Sequence, residues 1–153
     1  MLETDNLKTM RILFRAVQSV EHIVKKDVKN YNLTVNEFAA LEALYQKGRV
    51  SVNTMCQMVL IPNSSMTYVL DKLEEKSYIT RTQDPDDKRT FYVELSTEGK
   101  KYADEILPKH YKVMNQVFSI LTKEEQELLN QTLKKLGYHA IDMEELIKWN
   151  ISF

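Results

Sequence analysis

The sequence predicts a mainly helical protein that carries one small two-stranded hairpin. Three observations lead there. Apolar residues recur at steps of three and four through most of the chain, the period of a helix with one buried face. Only three glycines and three prolines interrupt 153 residues, so long irregular segments are not expected. One run departs from the helical period: Phe91, Val93 and Leu95 alternate with Tyr92 and Glu94, as in a half-buried strand.

Composition bounds the class. A chain of this length is one domain, or one compact unit with appended helices. Its 43% apolar residues can fill a sizeable core, and 28% charged residues is ordinary for a soluble protein. The formal net charge of −1 does not itself point to nucleic acid, but says nothing of where the charges lie. Cys56 is the only cysteine, which excludes an intramolecular disulfide and fits a reducing cytoplasm. No apolar run approaches the roughly 20 residues of a membrane span, so no membrane partner is expected. The polar start "MLETDNLKTM" has no signal-peptide pattern.

The first helix is expected over residues 5 to 30, with Leu7, Met10, Phe14, Val17, Val20, Val24 and Val28 as its stripe, ended by "YNL". Thr34 and Glu37 form a capping box for the second, with Leu33 and Phe38 placed for a hydrophobic staple. Phe38, Leu41 and Leu44 continue its stripe and Gly48 stops it. "GRVSVN" follows as a connection, and Ser51 caps a short third helix through residue 59. Pro62 in "LIPNSS" forces a break. A fourth helix, capped by Asn63 or Ser64, runs to about residue 76. Met66, Val69, Leu70 and Leu73 form its inner face, and Ser64, Ser65, Thr67, Tyr68, Asp71 and Lys72 its outer one.

Residues 51 to 76 are therefore a helix-turn-helix candidate. "YITRTQ" and "TFYVELS" read as two strands joined by the loop "DPDDKR". A hairpin at about 79 to 95 directly after such a unit is a wing, whose basic tip can reach phosphates or a minor groove. Ser96 or Thr97 starts the next helix, with Tyr102, Ile106, Val113, Val117 and Leu121 as packing positions and a kink expected at Pro108. Thr122 and Glu125 make a second capping box. Leu129, Leu133 and Leu136 mark the last helix, which Gly137 is expected to break. The amphipathic remainder, with Ile141, Met143, Leu146, Ile147 and Trp149, is expected to pack back on a dimer.

The run "SSMTYVLDKLEEKSYITRTQDPDDKRTFYVELSTEG" resembles the multiple antibiotic resistance regulator (MarR) family of winged helix-turn-helix transcription factors. The features that carry the resemblance are the "LDKLE" helix end, Arg81 shortly after it, "DPDDKR" at the wing, and "LSTEG" opening the next helix. It covers roughly residues 5 to 136, leaving 137 to 153 as a C-terminal extension expected to be helical. The resemblance implies a homodimer, held by N- and C-terminal helices, that binds double-stranded DNA at a pseudo-palindromic operator, usually as a repressor. It assigns residues 63 to 76 as the recognition helix, Arg89 as the wing-tip arginine that enters the minor groove, Asp87 as the wing aspartate that orients a basic partner, and Arg81 as the arginine at the wing's base. Two positions depart from the family pattern. Tyr68 stands where many members have arginine, and Ser77 where glycine is usual.

The expected DNA-binding residues are thus Asn63, Ser64, Ser65, Thr67, Tyr68, Lys72, Arg81, Asp87, Lys88 and Arg89. Residues 61 to 90 hold five basic and six acidic side chains, so arrangement and not net charge must carry the interaction. Residues 61 to 70 contain no acid, and the helix N-terminus adds a partial positive charge. Acids that pair with Arg81 or Lys88 would cost little affinity.

The resemblance also implies a small-molecule effector, often a phenolic or other aromatic acid, held between the DNA-binding lobe and the dimer helices. Phe14, Val17, Phe38 and Tyr45 are candidates to line that site. The alternative, a thiol sensor, would have to use Cys56, which lies beside Met55 and Met58 and reads as small core filler. His22, His110 and His139 lie far apart without metal-ligand spacing, so neither metal nor cofactor is expected. No phosphate-binding glycine loop or nucleophile-elbow pattern is present, which leaves an enzyme without residues to carry it. A helical protein-interaction module would not need the wing.

Overall fold

The computed structural model describes residues 5–59, 61 and 63–151, with the side chains of 63 and 145–151 outside the description. It divides into two units, Met1–Val113 and Met114–Phe153. The elements in order are α1 (Asp5–Lys29), α2 (Val35–Lys47), β1 (Val50–Ser51), α3 (Val52–Val59), α4 (Asn63–Glu75), β2 (Ile79–Gln83), β3 (Phe91–Leu95), α5 (Thr97–Phe118) and α6 (Lys123–Ile151). Among the described residues no helix is long and apolar enough to cross a membrane.

Local chemistry sets most boundaries. The Thr34 hydroxyl accepts from the Glu37 amide while the Glu37 carboxylate accepts from the Thr34 amide, closing the capping box of α2. Leu33 and Phe38 are both buried beside it. Gly48, at φ 75°, ends the helix and donates its amide to the Leu44 carbonyl. Ser51 Oγ accepts from the Thr54 amide at 3.1 Å and starts α3. Thr122 and Glu125 close the capping box of α6. Helix α4 already includes Asn63, one position ahead of a cap at Asn63 or Ser64.

The core of the first unit joins one side of each element. Leu41 and Leu44 of α2, Met55 of α3, Met66, Leu70 and Leu73 of α4, Val93 of β3, and Ile106 and Leu107 of α5 are all essentially inaccessible. The inner face predicted for α4 is correct at all four positions.

Three features correct the sequence reading. The connection after Gly48 contains a strand: Val50 and Ser51 pair with Val93 and Tyr92, giving a three-stranded antiparallel sheet in the order β1-β3-β2. Phe91 points to the same side as Val93 but is not buried there. It pairs with Gln83 at the outer end of the hairpin, beyond the core, and is 43% exposed. Helix α6 runs through Gly137 without a break, because one interior glycine costs only about 1 kcal/mol against a long run of good helix formers. Ile141 and Met143 beyond it are exposed, and the side chains of Leu146, Ile147 and Trp149 lie outside the described residues. Pro108 stands inside α5, as expected, and the helix continues on both sides of it.

The long helices keep an uncovered apolar stripe. Val28 at the end of α1 is buried, but Leu7, Met10, Phe14 and Val17 of the same stripe are exposed. Leu129, Leu133 and Leu136 of α6 are exposed too.

Candidate nucleic-acid interface

The front of α4 is polar, uncharged and open. Burial of Met66, Val69, Leu70 and Leu73 turns Ser64, Ser65, Thr67 and Tyr68 outward, all of them exposed. Tyr68 is 62% exposed, and the Lys72 ammonium sits 5.6 Å from its ring centroid. Lys72 in turn bridges Glu75 at 2.7 Å.

The end of α4 is locked to the wing. The Tyr78 amide donates to the Leu73 carbonyl and the Ser77 amide to the Glu74 carbonyl, the two bonds of a Schellman motif. Its left-handed position is held by Ser77, at φ 62°, where glycine would be unstrained. Arg81 of β2 then reaches back onto α4. Its Nη2 meets Asp71 at 2.7 Å, and it also binds the Glu74 carboxylate through Nε and Nη2. On the other side Ser96 joins wing and α5: its hydroxyl donates to the Ser77 carbonyl and accepts from the Gly99 amide. Gly99 is required here, since a Cβ would come within 1.8 Å of the Tyr78 carbonyl oxygen.

The wing tip is fixed by its aspartates. Asp84 Oδ1 accepts from the amides of Asp86 and Asp87, at 2.8 and 3.0 Å. These donors, Asp87's first, hold the Asp84 carboxyl below the ordinary carboxylate range. Asp87 accepts from the Arg89 amide and the Thr90 hydroxyl. It therefore orients Arg89 through the main chain rather than by an ion pair. Lys88 and Arg89 are exposed, and their cationic heads have no acidic partner among the described residues. Between tip and reading helix lies a cleft of about 500 Å³ lined by Ser51, Asn53, Thr67, Arg81, Arg89 and Phe91.

Five of the six acids counted in the sequence are thus engaged by local partners. Asp71 and Glu74 serve Arg81, Glu75 serves Lys72, and Asp84 and Asp87 serve backbone amides. Lys76 is withdrawn from the surface, 2.7 Å from Glu37 and donating to the Asn32 carbonyl. What faces outward is a hydroxyl-bearing helix beside the cations of Lys88 and Arg89, on a lobe braced at the wing base.

The four residues expected to line an effector site are not brought together. Phe38 belongs to the core, its ring centroid 4.5 Å from that of His110. Phe14 and Val17 stand exposed on α1. Tyr45 donates its hydroxyl to Asp104 and lines a hollow with Leu44, Arg49, Glu94 and Lys100 that includes none of the other three. Sequence reasoning missed a buried polar group behind Phe38. His110 Nδ1 lies 2.7 Å from Asp27 Oδ2, and the Tyr31 hydroxyl donates to the same carboxylate. Burial, then the bond to Asp27, pushes the Tyr31 phenol up to about 12.

Cys56 is half-buried against the core rather than enclosed in it, and burial raises its thiol pKa. Among the described residues no cluster of three or more His, Cys, Asp or Glu could hold a metal ion.

Comparison with known proteins bears on this geometry. The MarR family model matches residues 33–91, the segment from the start of α2 to the start of β3. The chain is 38% identical over 130 residues to YkoM, an uncharacterized HTH-type transcriptional regulator of Bacillus subtilis, covering 85% of this chain and 84% of that one. Its fold is similar to that of Sco3205 from Streptomyces coelicolor, a MarR family regulator solved in complex with DNA, with a TM-score of 0.84, 20% identity, and 92% and 94% of the two chains covered. It is also similar in fold to BpsR of Bordetella bronchiseptica, whose DNA binding is regulated by 6-hydroxynicotinic acid. There the TM-score is 0.76 at 23% identity, covering 85% of this chain and 98% of that one.

Proposed function

The chain belongs to the MarR family of DNA-binding transcriptional regulators, and on that premise we propose that it is a homodimeric repressor, released from a pseudo-palindromic double-stranded operator by a small aromatic or phenolic acid. The observation that carries the reading is the outward face of the lobe: the uncharged front of α4 beside Lys88 and Arg89 on a fixed wing tip. Helix α4 enters a major groove through Ser64, Ser65, Thr67 and Tyr68, with Asn63 at its start. Arg89 reaches the adjacent minor groove and Lys88 the phosphates. Lys72 and Arg81 act from behind this face, Lys72 against Tyr68 and Arg81 on the wing base.

The dimer follows from the uncovered stripes of α1 and α6, which one small lobe leaves in water. A two-fold axis between two copies then matches the two-fold symmetry of a palindrome, with recognition helices about one helical turn of DNA apart. An effector acts by binding the DNA-incompetent dimer better than the competent one. BpsR supports a hydroxylated aromatic acid as the class to try first. The thiol-sensor alternative loses support, because burial disfavours the reactive Cys56 thiolate.

The test is selection of bound fragments from the host genome, repeated with a panel of phenolic acids. The reading expects one inverted repeat to be enriched and at least one acid to release it. No enriched fragment would contradict the DNA-binding reading, and enrichment indifferent to every acid would contradict the effector class.

A further inference from the structure

The outward face of α4 limits which base pair it can read. In the major groove guanine is read by Arg or Lys, adenine by Asn or Gln, cytosine by a carboxylate, and thymine by apolar contact with its methyl group. The cations of this region are committed elsewhere. Lys72 bridges Glu75, Lys76 is turned onto Glu37 and Asn32, and Arg81 is held by Asp71 and Glu74. The same pairs occupy the helix's carboxylates. The hydroxyls of Ser64, Ser65 and Thr67 do not discriminate strongly among bases, and the Thr67 methyl offers far less apolar surface than an aromatic ring. Tyr68 remains, the largest apolar surface on this face, with the Lys72 ammonium at its ring. Asn63, the one amide in α4, is of the type that reads adenine and so favours the same base pair.

We propose that Tyr68 is the specificity-determining residue of the recognition helix, and that its ring packs against a thymine methyl group in each half-site. The half-site is therefore A·T at the pair Tyr68 touches. This rests on the DNA-binding reading and adds the chemistry by which the operator is chosen.

The methyl group can be removed alone. In the operator recovered by genomic selection, each thymine is replaced in turn by deoxyuridine, and affinity is measured for the wild type, Tyr68→Phe and Tyr68→Ala. One position per half-site should lose about fourfold in affinity, and about fifteenfold when both half-sites are changed, the scale of one buried methyl-sized group per site. Tyr68→Phe should keep this sensitivity, whereas Tyr68→Ala should bind the thymine and deoxyuridine operators equally. Tyr68 is exposed, so neither variant disturbs the core. Indifference of the wild type at every thymine overturns the inference while leaving DNA binding intact, as does Tyr68→Ala retaining wild-type sensitivity. A loss in Tyr68→Phe equal to that in Tyr68→Ala also overturns it, since the hydroxyl and not the ring would then make the contact. If selection recovers no preferred sequence, the DNA-binding reading fails first and this inference with it.

Discussion

Arg81 Nη2 lies 2.7 Å from Asp71 Oδ1, so the first strand of the wing is tied to the middle of the helix that precedes it. Glu74, one turn on, shares the same guanidinium. A planar fork held by two carboxylates fixes direction as well as distance, which a lysine cannot reproduce. The base of the wing is thereby fixed against α4.

Arg81 is therefore expected to position the interface rather than to contact phosphate. Arg81→Lys should weaken operator binding several-fold while leaving the dependence of affinity on salt concentration at its wild-type slope. A lost phosphate contact would instead lower that slope by about one. Affinity measured at four or five salt concentrations separates the two roles.

Ser77 occupies a left-handed position without being glycine, which costs on the order of 1 kcal/mol. Ser77→Gly should stabilise the lobe by about that amount in urea denaturation, since the hydrogen bond from Ser96 goes to the Ser77 backbone carbonyl and survives the change. A destabilised variant would mean that the side chain contributes more than the backbone strain removes.

The Tyr31 phenol gives a pH signature. Its pKa is raised from 10.0 to about 12 in the folded protein. A raised folded value means that the stability it contributes is fully present below pH 10 and is lost as pH rises toward 12. The free energy equivalent of that rise bounds the contribution at roughly 2–3 kcal/mol. Tyr31→Phe should flatten the decline of stability between pH 10 and pH 12 relative to the wild type. Parallel curves for the two proteins would show that the Tyr31–Asp27 contact is not maintained in solution.

Cys56 is predicted to be dispensable. Cys56→Ser should retain operator binding and effector release, and peroxide at doses that leave the fold intact should not release the wild type from DNA. Release of the wild type by peroxide, abolished in Cys56→Ser, would establish the thiol-sensor alternative.

What the sequence makes legible is what is decided within a few residues. The Thr34–Glu37 box, the Gly48 stop, the four inner positions of α4 and the hairpin of 79 to 95 each follow from neighbours in the chain. Contacts between distant segments leave no such mark. Val50 pairs with Val93 across 43 positions, and two residues are too short a strand for alternation to show. Asp27 and His110 lie 83 residues apart, so the buried polar group behind Phe38 has no local pattern. Phe38 illustrates a second limit: an apolar residue at helical spacing reads the same whether it fills a core or lines a ligand site. Gly137 shows a local rule overridden, since its propensity cost is small beside that of ending a long helix. At the interface the exposed hydroxyls, Tyr68 and Arg89 were legible from sequence. The commitment of Arg81 to Asp71 and Glu74 was legible only as an option, because α4 and β2 had to be placed against each other before the pairing could be assigned.

If this lobe binds DNA through α4 and the wing tip, loss of the Arg89 side chain must show it. Operator affinity is measured by gel-shift titration for the wild type and Arg89→Ala across a salt series, with thermal unfolding of both as a control. Binding through this face predicts an unchanged unfolding curve, affinity weakened by about 1–3 kcal/mol per contact, and a salt slope lowered by about one per half-site. Unchanged affinity and slope in a folded Arg89→Ala protein would contradict it.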